Sequence, residues 1–269
     1  MKKNTLFTFI LLTLAMMACQ TKEQPWQTLF NGADLSDWDT YIGTPLKGFD
    51  SLALNATTEK VFSVVQQDGM NLMRISGEVN GSLATREVYE NYHLRLVYKW
   101  GDSVYTSRNS GLLYHGFGEF GAALGTWMVN IECQLMNGNL GDTYLMNNTA
   151  CETSAVKNDS TGFFVFTPGA PLASFGEHAN GKSIKKMVNA EKEIGEWNTV
   201  DLYCFGTTSV HVVNGVTVMV NTNTGVFENG TVRPLQAGKI QLQSEGAEMF
   251  VKSIELQPIT KLPKEILPE

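Results

Sequence analysis

Hydrophobic and polar positions alternate with a period of two along much of this chain. The clearest run, residues 92–100, sets Leu94, Leu96, Tyr98 and Trp100 on one face and His93, Arg95, Val97 and Lys99 on the other. Such alternation predicts a β-strand lying between a core and solvent or a cleft. β-like patterns predict further strands over 61–66, 71–76, 82–86, 143–146, 151–156, 163–167, 196–205, 209–213, 216–220, 238–244 and 248–256. Asp68-Gly69 and Asn214-Gly215 supply hairpin turns, and Asn31-Gly32 marks a tight turn among aromatics near the start. Residues 41–60 read as a loop with one short helical turn. Residues 168–195, with two prolines and no sustained period, read as a long irregular insertion. No helix longer than a few turns is predicted, and no blade-length repeat supports a propeller. The expected fold is all-β: one antiparallel sandwich of two sheets over 26–257, between a tether at 20–25 and a polar tail at 258–269.

Two strands near the middle stand apart. The stretch Arg108-Asn109-Ser110-Gly111-Leu112-Leu113-Tyr114-His115 and the stretch from Trp127 to Leu135 flank a segment holding Gly116, Gly118, Gly121 and Gly125. On the second strand Glu132 and Gln134 share one face, while Ile131, Cys133 and Leu135 share the other. One face is built to pack. The opposite face gathers Asn, His, Trp, Glu and Gln, side chains that hydrogen-bond or stack, where an ordinary surface strand carries Thr, Lys and Ser.

Composition narrows the class. The 269 residues are 43% hydrophobic and 17% charged, with a formal charge of −7, enough apolar material for a sizeable core. Lys and Arg are scattered apart from Lys182, Lys185 and Lys186, which argues against a nucleic-acid partner. At the N-terminus, Lys2 and Lys3 precede an apolar run over 6–17 that Ala18-Cys19 closes. This has the regions of an export signal over 1–19 and is too short for a membrane anchor. A small residue before Cys19 resembles a bacterial lipobox, with Cys19 as the lipidated mature N-terminus. Met16 and Met17 depart from that pattern, and ordinary cleaved secretion is the alternative. The expected location is the cell envelope, in the periplasm or on the outer membrane surface. Without Cys19, the odd number Cys133, Cys151 and Cys204 leaves at least one free thiol, and no metal-type cysteine spacing occurs.

Several phrases together resemble one family: the run from Leu29 to Trp38, Asn109-Ser110-Gly111-Leu112, Ile131-Glu132-Cys133-Gln134, Gly195-Glu196-Trp197-Asn198, Val213-Asn214-Gly215, and the run from Gly238 to Ser244. Their order and spacing over about 26–257 are similar to the 3-keto-disaccharide hydrolase family, also described as 3-keto-glucoside 1,2-lyase and 2-hydroxy-3-keto-glucal hydratase domains. The resemblance implies a concanavalin-like jelly-roll sandwich, action on sugars or glycosides oxidised at C3, and frequent lipid anchoring among Bacteroidetes. Ala33 departs from the family's frequent lysine.

The implied reaction starts from a ketone that acidifies the C2 hydrogen. A base removes it, an enolate forms, the C1 substituent leaves by β-elimination, and water addition completes a net hydrolysis. Glu132 is the first candidate for base or metal-binding carboxylate; gripping a sugar hydroxyl or pairing with Arg95 are the plain alternatives. His115 is a second catalytic candidate, as base, electrophile or metal ligand, or else structural. Asn109 and Ser110 are expected to shape the cleft, with no sign of a serine triad. Gln134, Gln243, Trp127 and Asp142 are candidates to bind substrate, and Arg74 and Arg108 to stabilise enolate charge. No cofactor is certain; a divalent metal held by distant residues such as Glu132 and His115 is one option. A non-catalytic carbohydrate-binding lipoprotein is the other main reading. A conventional glycosidase needs a second carboxylate that the sequence does not single out.

Overall fold

The computed structural model describes residues 24–268, so the export segment and Cys19 lie outside the described residues. Twenty strands account for nearly all regular structure. The first seven are β1 (Gln27–Thr28), β2 (Trp38–Ile42), β3 (Phe62–Gln67), β4 (Met70–Ile75), β5 (Gly81–Thr85), β6 (Tyr89–Glu90) and β7 (Tyr92–Val104). The middle of the chain forms β8 (Gly111–Phe117), β9 (Val129–Gln134), β10 (Thr143–Leu145), β11 (Thr149–Lys157), β12 (Phe164–Phe166), β13 (Leu172–Phe175) and β14 (Ser183–Lys185). The last third forms β15 (Asn198–Phe205), β16 (Thr208–Val213), β17 (Val216–Glu228), β18 (Thr231–Pro234), β19 (Ala237–Ser244) and β20 (Ala247–Pro258). Two short helices, α1 (Asp50–Ala53) and α2 (Thr58–Val61), link β2 to β3.

The hairpin turns form where the local chemistry asks for them. Asp68 and Gly69 take φ of 51° and 75°, and Asn214 and Gly215 take 49° and 83°, the paired left-handed conformations that a two-residue turn needs. Pairing then runs without a break in the order β2–β5–β19–β8–β9–β10–β14–β12–β11–β17–β16–β15–β7–β20–β4–β3. Every pair in that order is antiparallel except β12 with β14. The expected all-β class holds, but the expected division into two separate sheets does not. The long β17 pairs with β16 through its first half and with β11 through its second, so one ladder serves both halves of the molecule. Residues 168–195 are likewise not wholly irregular, since β13 pairs with β11 and β14 with β10.

The core lies between the inner faces of this folded band. Leu94, Leu96 and Tyr98 of β7 share it with Leu112 and Tyr114 of β8, Ile131 and Cys133 of β9, and Ile240 and Leu242 of β19, all fully buried. The Tyr98 hydroxyl crosses it to donate to the Leu135 carbonyl at 3.3 Å. Burying Ile131, Cys133 and Ile240 inward turns Glu132, Gln241 and Gln243 to the opposite face, which is how packing aims the polar residues.

One irregularity breaks this alternation. Between Tyr114 and Phe117 the ladder of β8 with β9 shifts register, and the facing ladder with β19 shifts between Lys239 and Gln241. His115 sits in this bulge with φ of 53°, a left-handed value unusual outside glycine. Gly238 packs directly on it: a side chain there would begin 2.2 Å from the His115 carbonyl carbon, with only backbone to push against. Gly238→Ala is therefore expected to destabilise the fold by about 1–3 kcal/mol, the usual scale of forced overpacking. A urea denaturation midpoint unchanged from wild type would show that the close approach is not needed.

Candidate functional site

The outward face of β5, β19, β8, β9 and β10 carries the candidate site. Register places Leu113 of β8 opposite Glu132 of β9, and Tyr144 of β10 opposite Glu132 on its other side. It also places Gln241 of β19 opposite Leu113, and Ala84 of β5 opposite Gln241. One row further along, the side chain that would occupy the centre is missing, because the residue is Gly111. A Cβ there would lie 2.5 Å from Glu132 Oε1 and 2.5 Å from Gln243 Oε1. The glycine thus leaves a small polar hollow that the carboxyl and the amide enter from either side.

The polar atoms of this hollow are short of partners. Glu132 is 2% exposed, and its Oε1 has no hydrogen bond. Gln243 Oε1 in the same hollow is also buried without a partner, and so, elsewhere, are Gln241 Nε2 against Gly116, Asn130 Oδ1, Asn109 Oδ1 and Arg108 Nε. Burial pushes the Glu132 carboxyl well above the usual carboxylate range, and the carboxylates of Glu245 and Asp142 push it the same way. Both causes favour the neutral form of the Glu132 carboxyl. Glu245, at the turn between β19 and β20, is raised to about 7 by burial. Two buried oxygens cannot both accept, so a protonated Glu132 is the species that suits a neighbouring Gln243 Oε1.

A roof closes over the neighbouring part of this face. The glycine-rich segment after β8 folds back, and Trp127 and Ala123 pack with Leu113 and Met146 in a small second core, with Tyr144 against it. Trp127 Nε1 donates to the Gly81 carbonyl at 3.0 Å, and the Met128 amide donates to Gln241 Oε1 at 3.2 Å. On one flank Tyr41 stacks on Phe120 with ring centroids 5.2 Å apart, and the Thr44 amide donates to Thr126 Oγ1. On the other flank Asn147 Nδ2 donates to the Ala122 carbonyl. The glycine-rich segment is thus pinned at both sides.

The structure brings Glu132 and Gln243 together directly. Asn109 lies in the turn just before β8, where its amide donates to the Ser107 carbonyl at 2.8 Å, whereas Gln134 turns its Oε1 back to the Met136 amide at 2.9 Å. Other expected members are placed elsewhere. His115 is turned by the bulge into the main core, where its ring packs edge-on to Tyr92 and Tyr114; both ring nitrogens lack partners, and burial lowers its pKa to about 4. It does not face Glu132, so the two do not form a metal pair. Among the described residues no group of three or more His, Cys, Asp and Glu could hold a metal ion. Trp127 is buried as packing and offers no stacking platform. Ser110 Oγ donates to the Gln243 carbonyl at 2.8 Å, a structural bond that steadies β19.

Asp142 is held by Lys185 Nζ at 2.9 Å and by the Lys186 amide at 2.8 Å, so it is anchored and not a free rim carboxylate. Arg74 pairs with Glu248 at 2.7 Å on the other half of the band. Arg95 pairs with Asp201, also at 2.7 Å, so it is not the partner of Glu132. Gln241 and Glu245 are the members that sequence reasoning missed. Gln241 could have been found from its alternation with Gln243 in β19; Glu245 sits in a turn where no period points to it. Cys133, Cys151 and Cys204 are free and buried; burial raises the latter two to about 12 and Cys133 well above the usual thiol range, so none is a ready nucleophile.

Comparison with known proteins agrees with this picture at the level of fold and family. The family model of the 3-keto-alpha-glucoside-1,2-lyase-like domain matches residues 25–257. No curated protein matches the chain. Among solved structures, a protein named "Putative glycosyl hydrolase" from Parabacteroides distasonis ATCC 8503 is 17% identical with a TM-score of 0.50, covering 87% of this chain and 100% of that one. A second protein of that name and organism is 16% identical with a TM-score of 0.47, over 87% of this chain and 94% of that one. A protein with a galectin-like fold from Bacillus subtilis is 10% identical with a TM-score of 0.47, over 88% and 97%. At such identities the likeness concerns the fold alone.

The sealed histidines give a direct check on side-chain placement. His211, whose Nδ1 donates to the Gly141 carbonyl at 3.0 Å, is lowered to about 4 by burial, as is His115. Their ring resonances are expected to stay unshifted from about pH 8 down to pH 5, where an ordinary histidine titrates near 6.5. A midpoint near 6.5 for His115 in an NMR titration would place its ring in water and undo the core assignment.

Proposed function

The chain belongs to the 3-keto-alpha-glucoside-1,2-lyase-like domain family, and from that membership we propose that it cleaves 3-keto-glycosides. The C2 proton is removed, the C1 substituent leaves by β-elimination, and addition of water gives a net hydrolysis. We read the continuous β-band accordingly as a jelly roll flattened around one core. The observation that supports this chemistry is Glu132, a buried carboxyl with an unpartnered oxygen beside Gln243 over the bare backbone of Gly111. Burying an unsatisfied carboxyl costs stability and contributes nothing to packing, which favours a chemical role over a purely binding one.

The state of that carboxyl sets its task. Its burial favours the protonated form, and Glu132 accordingly acts as proton donor to the departing glycosidic oxygen, in place of the base role its position on the strand first suggests. Gln241 Nε2, a buried donor without a partner, is suited to the oxygen that carries charge in the enolate. Gln243 and Asn109 offer acceptors to sugar hydroxyls. The roof of Trp127 and Ala123 keeps the neighbouring face dry, which strengthens each of these contacts.

We further propose that the exported chain is lipid-anchored through Cys19, on the strength of Lys2, Lys3, the apolar run and Ala18 before the cysteine. Cys19→Ala is expected to abolish incorporation of a labelled fatty acid in cells; persistent labelling would move the attachment elsewhere. For the activity, purified protein is expected to release the aglycone from a 3-keto-glucoside and leave the unoxidised glucoside intact. Glu132→Gln is expected to slow release of an alkyl aglycone by about 10²–10⁴-fold while the circular dichroism spectrum stays that of wild type. Binding of both sugars without turnover, seen by calorimetry, would make the protein a carbohydrate-binding module instead.

A further inference from the structure

Reading the site as a 3-keto-glycoside cleaving centre leaves one role unfilled, that of the base. Several side chains that chemistry would consider are otherwise engaged: Asp142 is held by Lys185 and Lys186, Glu248 by Arg74, and His115 is sealed in the core. Glu245 is free. Among the described residues it makes no side-chain hydrogen bond and no ion pair, and it is partly exposed where Glu132 is sealed. It follows Gln241 and Gln243 at the same two-residue spacing, at the point where β19 turns into β20. The stretch that carries Asn109 lies close by, because the Tyr105 amide donates to the Gly246 carbonyl at 2.8 Å and a side chain at Gly246 would begin 2.3 Å from Thr106 Oγ1.

We propose that Glu245 is the base that takes the C2 proton and that Glu132 is the acid that protonates the leaving oxygen, the two carboxyls addressing a sugar seated over Gly111. The electron balance closes with these two groups alone. The ionised Glu245 takes the proton, and the C2–H electron pair becomes the enolate of the C3 ketone. The ketone then re-forms, a C1=C2 double bond is made, the C1–O bond breaks with its pair on oxygen, and that oxygen takes the proton of Glu132. Hydration runs the same groups in reverse: ionised Glu132 takes a proton from water as it adds at C1, and Glu245 returns its own to C2. Both carboxyls end as they began.

The environments of the two groups support this division. Glu245 lies at about 7 and is partly ionised near neutrality, whereas deeper burial of Glu132 favours its protonated form, and charge on Glu245 favours it further. The other charged groups on the surrounding elements are Lys239 of β19 with Asp39, Glu78 beside Gly77, Asp102 of β7, Arg108 beside Asn109, Asp142 with its two lysines, and Glu248 with Arg74.

The test uses the full chain, two 3-keto-glucosides with an alkyl or a nitrophenyl aglycone, and deuterated water. Glu132→Gln is expected to lose at least about a hundredfold on the alkyl glycoside, to keep nitrophenyl release, and to keep exchanging the C2 hydrogen. Glu245→Gln is expected to lose exchange and release on both substrates. Wild-type turnover with exchange undiminished in Glu245→Gln overturns the assignment of the base and leaves the proposed function standing. A wild-type chain that leaves both substrates intact overturns that function and this assignment together. Should Glu245→Gln not fold, the wild-type profile decides: kcat/KM for the nitrophenyl substrate is expected to fall about tenfold per pH unit below about 7, and a flat profile between about pH 5.5 and 8.5 overturns the proposal.

Discussion

A carboxyl group buried beside an amide oxygen, with no other side chain or backbone group to partner either, is the constraint around which the polar face is arranged. Leaving one buried polar atom unpaired costs about 1–3 kcal/mol, and this face holds several. A fold tolerates such a cluster only where the rest of the structure over-determines it. Here the inward burial of Ile131, Cys133 and Leu135 fixes the direction of Glu132, and Ile240 with Leu242 fixes that of Gln241 and Gln243. The hydrophobic core thus does the aiming. The polar residues have no alternative rotation available without turning aliphatic side chains into water.

Much of this was legible in the chain because it is local. Hairpins at Asp68-Gly69 and Asn214-Gly215 depend on two residues each, and the faces of β7 and β9 depend on a period of two. What was not legible depends on partners distant in sequence. His115 has the parity of Leu113, which alone would set it on the polar face, but a register shift against two neighbouring strands turns it inward. Strand β2 was missed because only Trp38 in it is fully buried, so no apolar alternation shows. The second half of β17, with Thr222, Asn223 and Thr224, has too few apolar positions to announce a strand, and it forms because β11 offers a ladder.

The site divided along the same line. Glu132 and Gln243 could be read from alternation, and they do meet at Gly111. Trp127 looked like a stacking platform because aromatic residues beside polar strands often are, yet its indole bonds to the Gly81 carbonyl and roofs the face. Asp142 looked like a rim acid, and Lys185 with the Lys186 amide claims it. Electrostatics could not be read from the chain at all: whether a glutamate is donor or acceptor depends on the water it has lost, which only the folded neighbourhood decides.

The sharing of β17 between the two halves bears on how a ligand gets in. A molecule made of two independent layers can part like a clamshell along the seam between them. Here the hydrogen-bonded ladder crosses that seam, since β16 holds Val216 to Asn221 and β11 holds Thr222 to Val226 of the same strand. Gaping of the layers would tear a continuous backbone ladder, so admission of a ligand falls to movement of side chains on the polar face. The fold behaves as a rigid vessel, its cover tied to its walls on both sides.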